Sequence, residues 1–481
     1  MLNLNQPLID FLKPAQRLKS TMQLGFFALG MALLIFTLKE YLFFDRAGEG
    51  FTSIVHHSFR SAFVTDLVLG IDGLSLVLLV LTAFIFPTCF LLCRSLGNNS
   101  NSAEFGLFIF FVFAMELLLL LLFQFLDLFF FYFSFEAILI PMYLIIGKWG
   151  SRERRIKAAY YFFLYTLVTS MLVFLAIFYI SSTLGGTMYP LLSDQPFSFS
   201  EETYLAIAFF LTFATKVPMI PFHIWLPEAH VESPTVGSVI LAALLLKLGG
   251  FGFLRFSLPI FVEGNRSLVG LVYILAIVGI IYSSLTTIRQ FDLKKIVAYS
   301  SVAHMNLSIL GLYAFTQQGL DGSVYLMLSH GIVSGALFLC IGVLYDRHHT
   351  RLLYYYGGLV TVMPVFSFLF FIFILANMGF PGTVNFVGEF LVYTGIFDRN
   401  AFVGILATPA IVFSAIYSGW LYNRLMFGTL KMQYITNFFD VNRTETVVLL
   451  LFVIATLYFG ISTNEILDTI YSSTKNIVLY Y

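Results

Sequence analysis

Six ionisable side chains lie well inside long apolar runs of this sequence. Each of them can bind and release one proton, histidine most readily because its unperturbed pKa is about 6.5. A lysine takes part in such exchange only where its surroundings favour the neutral form, and a nearby carboxylate favours the charged form. A glutamate and a lysine that change their separation would therefore act as a switch. The set, which is typical of a proton relay, consists of Glu136, Lys216, Lys247, His304, His330 and Glu389.

Each of these residues also has a simpler interpretation. A lone histidine in an apolar helix is often a packing residue, and a lysine or glutamate near the end of a membrane helix can reach the lipid headgroups. The lysines and glutamates lie near the middle of their apolar runs, which argues against contact with the lipid headgroups. The pattern predicts no role for Glu116. His223 and His230 could equally bond the loop they flank or pass protons, and Asp127, Glu228 and Glu232 are expected to be solvated.

The residues that other kinds of chemistry need are absent from this sequence. There is no G-x-x-x-x-G-K-[ST] phosphate loop and no G-x-G-x-x-G turn. Cys89, Cys93 and Cys340 all lie in apolar runs, and no second pair completes a metal site, so we expect them to be packing residues. We therefore predict no metal, no cofactor and no redox centre in this chain.

The composition of the chain indicates whether these ionisable residues are surrounded by water or by lipid. Hydrophobic residues make up 59% of the chain and charged residues 11%, against about 25% charged in soluble domains. The net charge is zero, which does not favour a nucleic-acid partner. Runs of about 20 apolar residues predict an all-α polytopic protein of the lipid bilayer. The thirteen predicted spans lie near 23–43, 74–94, 105–123, 125–147, 158–181, 203–226, 235–256, 267–286, 295–315, 322–344, 359–396, 401–422 and 445–463.

Two of the predicted spans should be broken. Pro218 and Pro221 interrupt the sixth, and Gly379, Pro381 and Gly382 interrupt the eleventh. A broken helix is tolerated in a bilayer only where protein or a water-filled cavity meets its freed backbone groups. Both breaks are therefore expected to face the protein interior, next to the ionisable residues.

The broken spans are five apart, which predicts two inverted repeats of five helices, an arrangement common in ion-coupled transporters. We divide the chain into N-terminal spans and loops (1–104), a first repeat (105–256), a second repeat (267–422) and a C-terminal loop with the last span (423–481). Lys and Arg concentrate in the loop "GKWGSRERRIKAA" and in every second loop after it, which places these loops on the negative side of the membrane, with the N-terminus there and the C-terminus opposite.

Long segments of the chain resemble a known family. They read "FEAILIPMYLIIGKWG", "FATKVPMIPFHIWLPEAHVESPTVGSVILAALLLKLGGFG", "DLKKIVAYSSVAHMN", "LSHGIVSGALFLCIGVLYDRHHTR" and "NMGFPGTVNFVGEF". These segments are similar to chain 4 of proton-pumping NADH:ubiquinone oxidoreductase, respiratory complex I. The likeness is dense from about residue 66 to residue 428.

The resemblance implies an antiporter-like subunit that moves protons. It implies that Glu136 and Lys216 form a coupling pair, that Lys247 is the central relay group, and that His304 and His330 lead to Glu389 on the exit side. Members of the family usually have fourteen spans, and residues 1–20 are too short and polar to supply the additional first helix. That helix is expected to be either lost or encoded elsewhere as a separate fragment.

The resemblance also implies partners and a location. NADH, flavin, Fe–S clusters and quinone would be bound by other subunits, and the neighbours in the membrane would include the antiporter-like chains 2 and 5. The 57 phenylalanines suit an AT-rich organellar genome, so we expect the mitochondrial inner membrane, with a bacterial plasma membrane as the alternative. A subunit of a cation/proton exchange complex and a purely structural membrane subunit are the competing functions. The relay residues alone do not exclude the first of these.

Overall fold

The computed structural model describes residues 6–46, 48, 50–57, 67–93, 101–193, 197–435 and 438–481, and for residues 6–18 and Ser53 it describes the backbone alone. Ten helices in these ranges are long and apolar enough to cross a membrane. The expectation of a polytopic, mainly α-helical membrane protein is confirmed. The count of thirteen spans and the inverted repeats stay predictions.

The first half of the chain contains both short and long helices. They are α1 (Gln6–Leu42), α2 (Gly73–Leu92), α3 (Ser102–Leu122), α4 (Leu128–Ala137), α5 (Leu139–Trp149), α6 (Arg155–Leu184), α7 (Tyr189–Ser193), α8 (Phe199–Lys216), α9 (Trp225–Glu232) and α10 (Thr235–Ile260). The last of these, α10, contains two π-helical turns, Leu241–Leu245 and Phe253–Ser257.

The second half follows the same pattern. Its helices are α11 (Val262–Arg289), α12 (Leu293–Leu312), α13 (Gln317–His348), α14 (Pro364–Asn377), α15 (Val384–Arg399), α16 (Ala401–Ala407), α17 (Pro409–Met426), α18 (Arg443–Ile461) and α19 (Asn464–Val478), with 3-10 turns at Leu353–Tyr355 and Leu359–Thr361. The predicted breaks are present, one between α8 and α9 and the other between α14 and α15.

Two elements were not predicted. An antiparallel pair of strands, β1 (Thr52–His57) and β2 (Leu67–Ile71), precedes α2, so the all-α class holds with one small two-stranded sheet added. The C-terminal helix α19 follows the last predicted span and packs against α2 and α13. A hydropathy search misses α19 because polar residues alternate with its apolar ones.

The centre of the molecule is formed by α10 and α13, whose apolar stretches are wholly buried. Close approach between helices depends on small residues, because lipid tails are as apolar as the side chains they would replace. At Gly388 on α15, a Cβ would lie 2.8 Å from the Cα of Leu326 on α13. These tightly packed helices carry most of the ionisable residues described below.

We call the side of the molecule that carries the loop around Lys148–Lys157 the basic face, and the other side the opposite face. Arg351 is buried at the basic face, where it lies 3.0 Å from Glu232 and 2.7 Å from Asp292. The expectation of a solvated Glu232 is therefore wrong, because a buried carboxylate is tolerated when a guanidinium pairs with it. Glu228 is partly exposed as expected, 3.1 Å from Lys295.

Asp127 is also buried and not solvated, which corrects the expectation from the sequence. It is the N-cap of α4, where its carboxylate accepts hydrogen bonds from the backbone N–H groups of Phe129 and Phe130 and from the hydroxyl of Thr187, 2.8 Å away. Capping consumes the lone pairs that water would otherwise satisfy.

Candidate functional site

Lys216 is the last residue of α8, at the first break. The chain then turns through Pro218 and Pro221 before α9 begins at Trp225. The indole N–H of Trp225 donates to the carbonyl of Thr215 over 2.8 Å, and this satisfies one of the backbone groups that the break frees. The break thus holds the buried Lys216 at a helix end inside the protein.

Lys247 lies two residues after the first π turn of α10. Ala242 belongs to that turn, and the Lys247 side chain donates to its backbone carbonyl over 2.5 Å. The sequence predicted an unbroken span around Lys247. The helix is continuous, but the π turn makes it irregular, and such turns are frequent at functional sites.

A line of four ionisable side chains crosses the centre of the molecule. Nζ of Lys247 lies 2.8 Å from Nδ1 of His330, and the rings of His330 and His304 are 5.9 Å apart between centroids. Nδ1 of His304 is 3.2 Å from Oε1 of Glu389. All four residues are buried, and Nε2 of His330 has no hydrogen-bond partner among the described residues. The four predicted positions therefore lie in one row, in which a hydrogen bond joins Lys247 to His330 and no hydrogen bond joins His330 to His304.

The second break shapes the end of this row. Gly379 has a φ of 72°, in the left-handed region that glycine tolerates best, and a Cβ there would lie 2.6 Å from Oε2 of Glu389. A cavity of about 10 Å³, close to what one water needs, is lined by His304, Glu389 and Tyr417. The break therefore makes room for the carboxylate of Glu389.

Glu136 and Lys216 are near each other but do not form an ion pair within 4.0 Å. The ammonium of Lys216 lies over the ring of Phe135, 4.4 Å from its centroid. Oε1 of Glu136 is buried and without a hydrogen-bond partner in the part of the chain that the structure describes. The two side chains are therefore separated. Lys216 lies instead against Phe135, the residue that precedes Glu136 in α4.

Three residues that the sequence left without a role are buried. Both carboxylate oxygens of Glu116 and both ring nitrogens of His230 have no hydrogen-bond partner among the described residues. The ring of His230 stacks on Phe338 with centroids 4.5 Å apart, and His230 lies within electrostatic range of Lys247 and Lys294. His223 contacts the rings of Tyr282 and Tyr299.

Sequence reasoning missed two features of the site. The hydroxyl of Tyr417 lies 3.3 Å from Nε2 of His304, and no local pattern marks that tyrosine. Arg255 forms a buried ion pair with Asp72, on the opposite face. An arginine inside "GGFGFLRFSLP" was the signal that could have found it.

Comparison with known proteins decides the family. The family model described as "NADH:quinone oxidoreductase/Mrp antiporter, TM" matches residues 125–416. NADH-ubiquinone oxidoreductase chain 4 of Marchantia polymorpha is 51% identical over 410 residues, which cover 85% of this chain and 82% of that protein. The chain belongs to the NADH-ubiquinone oxidoreductase chain 4 family. The chain 4 protein of Arabidopsis thaliana is 47% identical over 97% of this chain and 93% of its own length.

Solved structures extend the likeness to the fold. A chain of respiratory complex I from Thermus thermophilus, determined with bound NADH, matches with a TM-score of 0.86 and 29% identity over 95% of this chain and 94% of that chain. A chain of the Mrp complex from Dietzia sp. DQ12-45-1b matches with a TM-score of 0.83 and 18% identity over 96% and 93%. The second likeness is one of fold alone. Chain 4 membership therefore rests on the sequence relatives.

Proposed function

We propose that this chain is a proton-translocating, antiporter-like membrane subunit of NADH:ubiquinone oxidoreductase. It works in the mitochondrial inner membrane, beside other membrane subunits that include the antiporter-like chains 2 and 5. NADH, flavin, Fe–S clusters and quinone are bound by partner subunits, and their redox chemistry drives proton movement here. The observation that carries this proposal is the row of buried proton-exchanging groups from Lys247 to Glu389.

The central step is proton exchange between Lys247 and His330. A charged Lys247 donates a hydrogen bond to Nδ1 of a neutral His330 across 2.8 Å, a distance at which a proton can transfer. Protonated His330 can then release a proton from Nε2, the nitrogen that has no partner among the described residues. The carbonyl of Ala242 holds the lysine amine in place throughout.

The later steps lead toward the second break. The rings of His330 and His304 have centroids 5.9 Å apart, and no hydrogen bond joins them, so the proton crosses through water or a ring rotation. His304 then passes it to Glu389 across 3.2 Å. Glu389 is the release group because it borders the break between α14 and α15, where the helix no longer seals the path.

Glu136 and Lys216 control this row. When they approach, the carboxylate favours a charged Lys216, and when they separate, as in this structure, Lys216 is free to give up its proton. Loading of Lys247 follows, because two charged lysines in one buried region repel each other. Redox steps in partner subunits would act by changing the distance between Glu136 and Lys216.

The test is proton transport by the assembled oxidoreductase. Purified complex carrying Lys247→Ala should assemble and bind its partners, and it should lose most of its proton pumping per NADH oxidised. Co-purification with an NADH-oxidising, Fe–S-containing assembly separates this function from that of a cation/proton exchange subunit. Isolation of the chain in an assembly without NADH oxidation would contradict the proposal.

A further inference from the structure

A cavity of about 290 Å³ opens on the opposite face, between the segment before β1, α7 and α19. Asp72, Tyr189, Arg255 and Asn476 are among its lining residues. The cavity has room for several waters, since each occupies about 30 Å³ in the liquid. Water from the opposite face can therefore reach Arg255, which lies eight residues, or about 12 Å along the helix, beyond Lys247.

Arg255 is buried and has unusual surroundings for a charged group. Its guanidinium pairs with Asp72, and Nε has no partner among the described residues. Its central carbon lies 5.0 Å from the ring centroid of Phe51 and 5.4 Å from that of Phe251. Asp72 is the N-cap of α2, and Phe251 lies one helical turn from Arg255 toward Lys247.

A layer of phenylalanines separates Arg255 from Lys247. The rings of Phe123 and Phe251 are 5.1 Å apart, those of Phe131 and Phe251 are 6.2 Å apart, and those of Phe213 and Phe253 are 5.3 Å apart. A buried water needs two to four polar partners, and these rings supply none. Water entering the cavity thus stops at the guanidinium.

We propose that Arg255 is a leak barrier, whose fixed positive charge and the phenylalanine layer behind it stop protons from returning from the opposite face to Lys247. This inference rests on the proposed function and adds that protons at Lys247 do not exchange with the opposite face through α10. A guanidinium does not release its proton in proteins, so Arg255 cannot relay one. A fixed arginine charge that excludes protons is a known device in membrane pores.

Asp72 does not offer protons a second route past Arg255. Burial raises the pKa of Asp72. The Arg255 guanidinium beside it and the hydrogen bonds with Ser75 lower that pKa by more than burial raises it, so the net shift is downward. The carboxylate therefore holds the guanidinium in place without binding a proton itself. Protons that reach Lys247 then leave through His330, His304 and Glu389.

The experiment measures passive proton leak in liposomes that contain the whole oxidoreductase without NADH. A potassium diffusion potential drives protons inward, and a trapped pH dye reports the rate. Arg255→Gln should raise the leak severalfold over wild type, whereas Asp72→Asn, which keeps the guanidinium and its charge, should stay tight. Arg266→Gln is the matched control, because Arg266 is an exposed arginine of the same face, paired with Glu263.

Loss of a single partner leaves the other buried and unpaired, which can prevent assembly. The double change Arg255→Gln with Asp72→Asn removes both charges and keeps both shapes, and it too should leak. Wild-type tightness of the assembled double variant would overturn the proposal. So would a leak in Asp72→Asn equal to that of Arg255→Gln.

A second comparison separates this inference from the proposed function. Adding Lys247→Ala to Arg255→Gln should return the leak to the wild-type rate, because the leak path enters the row at Lys247. A leak that persists in the combined variant would show a route elsewhere and would contradict the barrier. Failure of the proposed function would show differently, as normal pumping by Lys247→Ala during NADH oxidation.

Discussion

Nζ of Lys247 lies 2.8 Å from Nδ1 of His330, although the two residues are 83 positions apart in the chain. The contact joins α10 to α13, the two helices whose apolar stretches are wholly buried. Both side chains are buried, and besides His330 the amine of Lys247 contacts the carbonyl of Ala242. A lysine and a histidine in direct contact can share one proton, which is the basis of the first two predictions.

Lys247→Arg should abolish most proton transport, although it keeps the positive charge. Arginine effectively never gives up its proton, so it cannot serve as a relay. Lys247→His should retain part of the transport, because histidine exchanges protons near neutral pH. Pumping per NADH oxidised in sealed vesicles measures both, with Lys431→Arg, at a partly exposed lysine, as control. Normal pumping by Lys247→Arg would make this lysine a fixed charge.

His330→Ala should reduce proton transport more than His304→Gln. His330 contacts Lys247 directly, whereas His304 keeps a polar neighbour in Tyr417 that can hold water in its place. Both variants should assemble, since Lys247 keeps the carbonyl of Ala242 as an acceptor without His330, and glutamine at position 304 keeps a donor near Glu389. Equal and full activity in both would mean that these histidines are packing residues.

Glu136→Gln should lower proton pumping and quinone reduction together, because the two are coupled in the proposed function. Glutamine keeps the shape and removes the charge that favours protonated Lys216. Glu136→Asp keeps the charge and should retain part of the activity. Steady-state NADH:quinone turnover in coupled membranes is the measurement, and full turnover in Glu136→Gln would rule out the pairing.

Gly379→Ala should impair proton transport, while Gly382→Ala should be much milder. Both glycines have a positive φ, of 72° and 90°, so both changes cost about 1–2 kcal/mol of backbone strain. A Cβ at Gly379 would also press on Oε2 of Glu389 at 2.6 Å, whereas a Cβ at Gly382 meets nothing within 4 Å. Equal losses in the two variants would show that strain alone matters.

Glu232→Ala should destabilise the protein by about 3–5 kcal/mol, because it leaves the buried Arg351 with one partner fewer. Glu228→Ala breaks a half-exposed pair with Lys295 and should cost no more than about 1 kcal/mol. Thermal unfolding followed by a thiol-reactive dye suits this comparison, because all three cysteines are free and buried. Similar melting temperatures for the two variants would contradict the prediction.

Local features of the sequence were enough to predict the membrane class and both breaks. Hydropathy over about 20 residues depends only on neighbours in the chain, and so do the effects of proline and glycine on a helix. The same reasoning selected Lys247 and Glu389, because an ionisable residue deep in an apolar run is recognisable without knowledge of its partners.

Contacts between distant segments were decided by the tertiary structure alone. The sequence does not show that His330 meets Lys247, that Arg351 pairs with Glu232 or that Asp72 pairs with Arg255, since each pair comes from segments far apart in the chain. The register of helix packing sets these distances, and a shift of one residue turns a side chain by about 100° around its helix. Whether a charged group is solvated or buried is therefore a property of the packed bundle, and only the packed bundle assigns each group its partner.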